Sequence, residues 1–435
     1  MRARRATTAV RTPDPRRHQY DVLVVGAGPA GMAAARAAAE SGSRVALVDE
    51  NPAPGGQIWR DGPGILLPPP ARSLRHAVAA HSRIALFAST RVIAAPAPHA
   101  LLVENDETAL HLHFRKLILC TGARELLLPF PGWTLPGVTG AGGLQAMVKA
   151  GAPVGGERIV IAGSGPLLLA AAATARRHGA HIVRIAEQAP LPRLMRFAGT
   201  LWRWPAKAVQ AIALLDGRYR AGSHVVEALG DDRLRAVRIR QGGGTTELAC
   251  DRLACGFGLV PNTGLAALLG CRLDLGPDAI GVDSRQRTSL RHVYAAGECT
   301  GIGGSELALL EGMIAGYAAA GADDRAVALV ASRDRWRAFA EQVRTTFTLD
   351  PVLKTLARPD TPICRCEDVP LSAIRAHPDA WQAKMQVRCG MGACQGRVCA
   401  TANRVLFGWP VPTPRPPLSP ARIGTLMQED GPAPP

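Results

Sequence analysis

Half of the ten cysteines fall between residues 364 and 399, as Cys364-x-Cys366, Cys389 and Cys394-x4-Cys399. Two close pairs of thiols are the donor set of a [2Fe–2S] centre or of a structural zinc. Zinc sites more often place two to four residues between paired cysteines, so the tight Cys364-x-Cys366 pair points to iron–sulfur. Zinc, and a site that has lost its metal, stay open as alternatives. Gly390, Gly392 and Gly396 allow tight loops around such a centre. Cys389 reads as a neighbour of the ligands or as an ordinary apolar thiol. Cys120, Cys250, Cys255 and Cys271 sit in or near apolar segments and read as core thiols. No C-x-x-C accompanies either glycine turn described next, so a dithiol relay is not expected.

The second constellation is Gly26-x-Gly28-x-x-Gly31, set between the apolar run 22–25 and an alanine-rich helix that opens with Pro29 and Ala30. Gly26 makes the turn, Gly28 admits a pyrophosphate against bare backbone, and Gly31 lets the helix approach the strand. The helix N-terminus offers free N–H groups and a partial positive charge to phosphates. A second strand, 45–48, ends at Asp49, whose carboxylate can accept hydrogen bonds from ribose hydroxyls. Glu50 follows, and then a Gly/Pro loop ending in Gly56-Gln57. A lone glycine-rich loop is weak evidence. With both strands, the helix and the terminal acid it predicts a dinucleotide site.

The pattern restarts at Arg158, with a strand over 159–162, Gly163-x-Gly165, an alanine-rich helix, a strand over 182–185 and then Glu187. The third glycine is replaced by Leu168, whose side chain is expected to push the helix off the strand or shift the turn. This second unit therefore reads equally as a working NAD(H)-type site or as a retained scaffold, with or without a structural adenine nucleotide. Two further strand ends carry candidate contacts. Thr121-Gly122 follows the strand 116–120, and Gly297-Glu298 follows Val293-Tyr-Ala-Ala, with Gly301, Gly303 and Gly304 opening a helix beyond it.

These residues must be positioned by an α/β fold. The expected architecture is two Rossmann-like domains, the second inserted in the first, plus a small helical cysteine-cluster domain. The expected boundaries are a basic tail over 1–18, a first domain over 19–125 and 255–325, and a second over 126–254. A linker helix over 326–357, exposed along 332–347, leads to a cysteine domain over 358–412 and a Pro-rich tail over 413–435, expected to be partly disordered. Short alternating pieces over 84–87, 100–103 and 110–114 predict a β-meander inserted in the first domain.

The net charge is +16, but of the 51 basic residues only Lys116, Lys149, Lys207, Lys354 and Lys384 are lysine. The arginines run along the whole chain without interleaved aromatics, which is a composition bias and not a nucleic-acid surface. No apolar run reaches the length of a membrane span. The first twenty residues are arginine-rich without an apolar stretch, so no secretory leader is expected and the expected compartment is the cytoplasm.

Taken together, Gly26-x-Gly28-x-x-Gly31 with Asp49, Thr121-Gly122, Gly163-x-Gly165 and Val293-Tyr-Ala-Ala-Gly297-Glu298 resemble the two-dinucleotide-binding-domain flavoproteins over about residues 20–325. The resemblance implies FAD held by Gly26, Gly28, Pro29, Ala30, Gly31, Asp49, Glu50, Gly56, Gln57, Thr121, Gly122, Gly297 and Glu298. The family usually has Gly-Asp where this chain has Gly297-Glu298, so the arm toward the FAD ribitol is longer here. A second nucleotide would use Gly163, Gly165 and Glu187. The loop Asn51-Pro-Ala-Pro-Gly-Gly-Gln57 and the C-terminal cysteines are similar to a narrower group, the large subunits of amine and imino-acid oxidising complexes. Opine oxidase, hydrogen cyanide synthase and D-hydroxyproline dehydrogenase belong to it. The cysteine segment resembles the bacterioferritin-associated-ferredoxin type, which implies a [2Fe–2S] cluster on Cys364, Cys366, Cys394 and Cys399. The group further implies a D-amino-acid-oxidase-type flavoprotein partner, with room for FMN at an interface between the two and for a small ferredoxin-like subunit. Such a complex can lie peripherally at the inner membrane. The alternatives are a stand-alone NAD(P)H-dependent flavin reductase and a scaffold subunit with a structural nucleotide.

Overall fold

The structure, a computed structural model, describes residues 18–274 and 279–428. Most of the expected basic tail, and the last residues of the Pro-rich tail, lie outside the described residues. The first glycine turn is carried by a seven-stranded sheet. Its elements are β1 (Gln19–Val25), α1 (Pro29–Glu40), β2 (Val45–Val48), α2 (Pro69–Ala80), β3 (Ile84–Phe87), β4 (Arg91–Ala97), β5 (Ala100–Glu104) and β6 (Ala109–Leu119), in the order β3-β2-β1-β6-β5-β4. Val22 to Val25, and Val45 to Val48, are buried throughout, as strands covered on both faces must be.

The sheet differs from the sequence reading in several places. The meander is β4-β5-β6: the expected first strand, 84–87, is β3, which pairs parallel with β2 at the opposite edge, and the third strand does not stop at Phe114. β6 pairs antiparallel with β5 over 109–113 and runs on parallel to β1 up to Leu119. Its alternating first half therefore borders the meander, and its continuous apolar second half enters the core. Residues 69–80, to which the sequence reading gave no element, form a helix, α2. Pro69 suits the first helical turn, and Ala71, Leu74 and Val78 form one buried stripe.

The chain continues through β7 (Ala123–Glu125), β8 (Val138–Gly140), α3 (Ala141–Lys149), β9 (Arg158–Gly163), α4 (Leu167–Arg177), β10 (His181–Glu187), α5 (Leu191–Ala198), α6 (Pro205–Leu214) and β11 (Tyr219–Arg220). An antiparallel trio, β12 (Ser223–Leu229), β13 (Ala236–Gln241) and β14 (Gly244–Ala249), precedes β15 (Arg252–Gly256). The second sheet is parallel throughout, in the order β11-β10-β9-β15-β8. β16 (Leu259–Pro261) then pairs with β7 and joins the two halves.

After α7 (Gly264–Leu269) and the short strands β17 (Leu273–Asp274) and β18 (Ala279–Ile280), β19 (Val293–Ala295) returns to β6 in the first sheet. The helix that follows, α8 (Gly304–Ala319), lies hard against α1. A Cβ on Gly312 would stand 2.1 Å from the Ala30 carbonyl, and one on Gly316 would stand 2.3 Å from that of Ala34. α9 (Asp323–Val327) leads to α10 (Val330–Thr346), the linker helix. Its expected full exposure is corrected at Arg333, which is 2% exposed and donates to Gln286 Oε1 and Asp334.

The cysteine segment comprises β20 (Pro362–Cys364), β21 (Val369–Pro370), α11 (Leu371–Arg375), α12 (Ala380–Val387) and α13 (Cys399–Phe407), around Ile363, Leu371 and Ile374. The tail beyond it is placed down to Gln428. Leu418 N–H donates to the Ile93 carbonyl, Arg422 binds Glu104 and the carbonyls of Asn105 and Asp106, and α14 (Ile423–Leu426) follows. Among the described residues no helix is long and apolar enough to cross a membrane.

Candidate functional site

Four separate segments converge on the first glycine turn. Gly26 adopts φ +102°, and a Cβ there would stand 2.1 Å from the Cys120 carbonyl, so the end of β6 closes against the turn. Gly31 sits so tightly that a Cβ would reach 1.7 Å from the Gly26 carbonyl. Gly28 differs: the nearest atom to a Cβ would be Gly56 Cα at 3.9 Å, which leaves bare, open backbone at the N-terminus of α1. The Gly55-Gly56 loop is tied down by Gly55 N–H donating to the Ala27 carbonyl at 2.7 Å. Gln57 and Glu50 are exposed at its margins.

Asp49 is buried, and its carboxylate reaches back to accept from the Ala27 N–H and from the Asn51 N–H and amide. Gly297 adopts φ +79° and lies over Ala30, where a Cβ would approach to 2.7 Å. Glu298 follows in a short 3₁₀ turn; burial raises its pKa, against which the Gly304 N–H donates to the carboxylate.

Residues the sequence reading did not single out fix this arrangement. Glu311 on α8 is 2% exposed. It accepts from Gly297 N–H at 3.0 Å, from Thr300 Oγ1 at 3.0 Å and from Arg337 at 2.9 Å. The signal available was an acid in the middle of an apolar helix, beyond Glu306 of its first turn. Asn262 locks the other strand end: its N–H donates to the Gly122 carbonyl, its amide to the Thr121 carbonyl, and its own carbonyl accepts from Thr121 Oγ1.

The second glycine turn is built like the first but is covered differently. Glu187 is fully buried and accepts from Gly165 N–H at 2.8 Å and from Ala189 N–H at 2.9 Å. Burial pushes its pKa up to about 7, despite those donors. Leu168 does not pry the unit apart, as was expected. It is fully buried, and it fits because the neighbouring strand ends in Gly256, which leaves room for the leucine's Cδ2.

Over this turn lies the chain just after α10. Ser164 Oγ donates to the Phe347 carbonyl, Gln188 Nε2 to the Thr348 carbonyl, and Asp350 N–H to Gln188 Oε1. The Phe347 ring comes within 3.9 Å of a Cβ position on Gly165, where the first turn meets only the backbone of Gly56.

The five clustered cysteines sort into two sets. The Sγ atoms of Cys364, Cys389 and Cys399 lie within 4.8 Å of one another, all buried. Cys366, exposed, and Cys394, half-buried, interact with each other. Cys389, read from sequence as a neighbour or an apolar thiol, thus stands among the sulfurs, with Asn403 Nδ2 donating to it at 3.5 Å. A hydrogen bond from Cys399 is the main cause lowering the Cys389 pKa, against the burial that raises it. Three thiols brought this close are a donor set suited to a soft or borderline metal.

This body is mounted on the first turn through Arg124, a residue of β7 just past Thr121-Gly122. Its guanidinium donates to Asn262 Oδ1 and the Pro261 carbonyl on one side. On the other it donates to the Arg397 carbonyl and Thr401 Oγ1, which flank Cys399. Trp133 Nε1 adds a bond to the Pro362 carbonyl.

Residues 20–322 match the family model for pyridine nucleotide-disulphide oxidoreductases. The chain belongs to this family. It is an FAD-dependent oxidoreductase with an NAD(P)-type second domain, in keeping with the two turns described. An opine oxidase subunit from Agrobacterium tumefaciens (strain Ach5) is 31% identical over 93% of this chain and 88% of its own length. Hydrogen cyanide synthase subunit HcnB of Pseudomonas protegens is 30% identical over 94% of this chain and 97% of its own length. Among solved structures, L-proline dehydrogenase from P. horikoshii superposes with a TM-score of 0.65 at 19% identity, covering 94% of this chain and 80% of that one. Thioredoxin reductase from T. acidophilum superposes with a TM-score of 0.52 at 23% identity, covering 71% and 100%. At those identities both structures report the fold. The chain is a flavoprotein oxidoreductase related to the opine oxidase and hydrogen cyanide synthase subunits.

Proposed function

We propose that this chain is the FAD- and [2Fe–2S]-carrying subunit of an amine or imino-acid dehydrogenase complex, passing electrons from a partner flavoprotein subunit toward an acceptor. The observation that carries this reading is the shared mount. Arg124 ties the strand end beside the first glycine turn to the segment holding Cys399. Two redox sites held at one guanidinium suit a relay. FAD, when bound, supplies two-electron and one-electron chemistry, and an iron–sulfur cluster supplies one-electron chemistry.

The residues that would hold FAD are Gly26, Gly28 and Gly31 at the pyrophosphate, with Pro29 and Ala30 opening the helix and Asp49 and Glu50 toward the adenosine. Gly56 and Gln57 would lie over the turn, Thr121 and Gly122 at the strand end, and Gly297 and Glu298 toward the ribitol. Their fit rests on the open backbone at Gly28, the one glycine of the turn with space beyond it. Cys364, Cys366, Cys394 and Cys399 would hold the cluster. The domain limits drawn from the sequence are part of this reading, as is a cytoplasmic, complex-bound location.

A partner subunit is supported by an apolar face with no cover among the described residues. α5 and α6 bury none of their residues, and Leu191, Met195, Trp202, Val209, Ile212 and Leu215 are exposed around them. Isolated apolar residues are ordinary on surfaces, whereas six together mark a contact surface. A small amine or imino acid would be bound by the partner.

A second reading, a stand-alone NAD(P)H-dependent flavin reductase, draws on the intact strand–turn–helix around Gly163, Gly165 and Glu187. Against it stands Phe347, placed over that turn by Ser164 and Gln188. The test is an anaerobic visible spectrum of the purified chain before and after NADH. A flavin band with a broad iron–sulfur shoulder, unchanged by NADH, supports the relay reading; rapid bleaching would establish the reductase in its place.

A further inference from the structure

The five cysteines exceed what the proposed cluster uses. A [2Fe–2S] centre takes four thiolates, two on each iron. Thiolates sharing one tetrahedral metal, at bonds of about 2.3 Å, lie roughly 3.8 Å apart. The inner group, Cys364, Cys389 and Cys399, has all three Sγ atoms within 4.8 Å of one another. It therefore presents one thiol more than a single iron of the cluster accepts. The outer pair, Cys366 with Cys394, belongs to no such group of three among the described residues, although Cys364 is near enough to Cys366 to act on its charge.

Cys389 is not displaced from the group by its fold. It follows the end of α12 and precedes Gly390 at φ +88°, and a Cβ on Gly390 would stand 3.7 Å from Cys399 Sγ. Asn403, buried on the same helix as Cys399, donates to the Cys389 sulfur and holds it toward the group. We propose that Cys389 is a reserve ligand of the buried iron, able to take the place of Cys364 or Cys399, while the exposed iron, served by Cys366 and Cys394, has no reserve. The proposal rests on the iron–sulfur reading above. It makes the two ends of the cluster unequal: loss of an inner ligand is compensated within a shift of about an ångström or two at one sulfur, and loss of an outer one is not.

The test measures iron and acid-labile sulfide per chain, with the visible spectrum, in the full-length protein purified anaerobically. Cys399→Ala is expected to keep about half or more of the wild-type iron and sulfide, and Cys389→Ala nearly all of it. Cys366→Ala and Cys389→Ala/Cys399→Ala are expected to fall to about a tenth or less. Bound FAD in each variant reports that the rest of the chain is folded, and Cys394→Ala stands in for Cys366→Ala should that variant lose its flavin. Cys399→Ala as empty as Cys366→Ala would overturn the reserve role. So would loss of the cluster in Cys389→Ala alone, which would make Cys389 an obligatory ligand. A wild-type chain without iron and sulfide would overturn the iron–sulfur reading and this proposal together; failure of the variants alone overturns only the proposal.

Discussion

Leu168 rests on Gly256, and the pair inverts the one made by Gly31 and Cys120 in the first unit. In each unit the helix crosses the neighbouring strand end at one point, where one side must be small. Gly31 supplies the small side in the first turn, with Cys120 Cβ 3.4 Å from its would-be Cβ. In the second, Leu168 fills the space and Gly256 yields it, with Leu168 Cδ2 3.3 Å from a Cβ position there. Gly256→Ala is expected to destabilise by about 1–3 kcal/mol through overpacking, and Leu168→Ala by about 2–5 kcal/mol through a cavity. The double variant should cost less than the sum, because the added methyl enters the space the leucine leaves. Urea unfolding of the four proteins measures the coupling; strict additivity would refute the pairing.

The three glycines of the first turn are expected to respond differently. Gly28 has φ −71° and ψ −174°, a conformation open to any side chain, and free space beyond it. Gly28→Val should fold and yet lose FAD affinity by at least roughly tenfold, about 1.4 kcal/mol. Gly31→Ala drives a methyl into the Gly26 carbonyl and should reduce stability itself, by at least about 1–3 kcal/mol. Flavin content together with circular dichroism separates the two effects.

Glu187 couples the second unit to pH. Its pKa is raised by burial from 4.5 to about 7, so the folded state holds its proton more tightly than the unfolded chain. The stability this contributes is full below the unfolded value and is lost as pH rises through about 7, by up to about 3 kcal/mol. Glu187→Gln removes the titration. The difference in unfolding free energy between variant and wild type should therefore move in the variant's favour from about pH 4.5 to about 7.5. A flat difference across that range would show that the two backbone donors hold the group ionised in the fold.

Glu311 is expected to matter for flavin retention without touching flavin. Glu311→Ala leaves the Gly297 N–H, Thr300 Oγ1 and Arg337 without their acceptor and should cost about 2–3 kcal/mol. Because it loosens the Gly297-Glu298 turn, FAD should dissociate more readily than from Glu311→Gln, which keeps one acceptor oxygen. Equal retention in the two variants would assign Glu311 to packing alone.

Much of this was legible in the sequence because periodicity and glycine spacing are local signals. Both strand–turn–helix units and the cysteine pairs declared themselves over short stretches. What stayed hidden depends on contacts between distant segments. Gly256 lies far from Leu168 in the chain, so the leucine read as a defect when it is one half of a complementary pair. Phe347 falls at the end of a helix whose pattern looks solvent-facing, and nothing local shows that it covers a glycine turn beside Ser164. Arg124 was one arginine among many, distinguished only by what its five donors meet after folding. β6 was divided in two because its pattern changes from alternating to continuous where its neighbours change, although the strand itself does not break.

The Arg124 guanidinium gripping Asn262 on one side and the Arg397 carbonyl and Thr401 on the other works as a rivet, not a hinge. The two redox sites of the proposed relay would then keep a constant separation through every turnover. Electron passage inside this chain would follow the medium between the sites and the driving force across it, and should be indifferent to solvent viscosity.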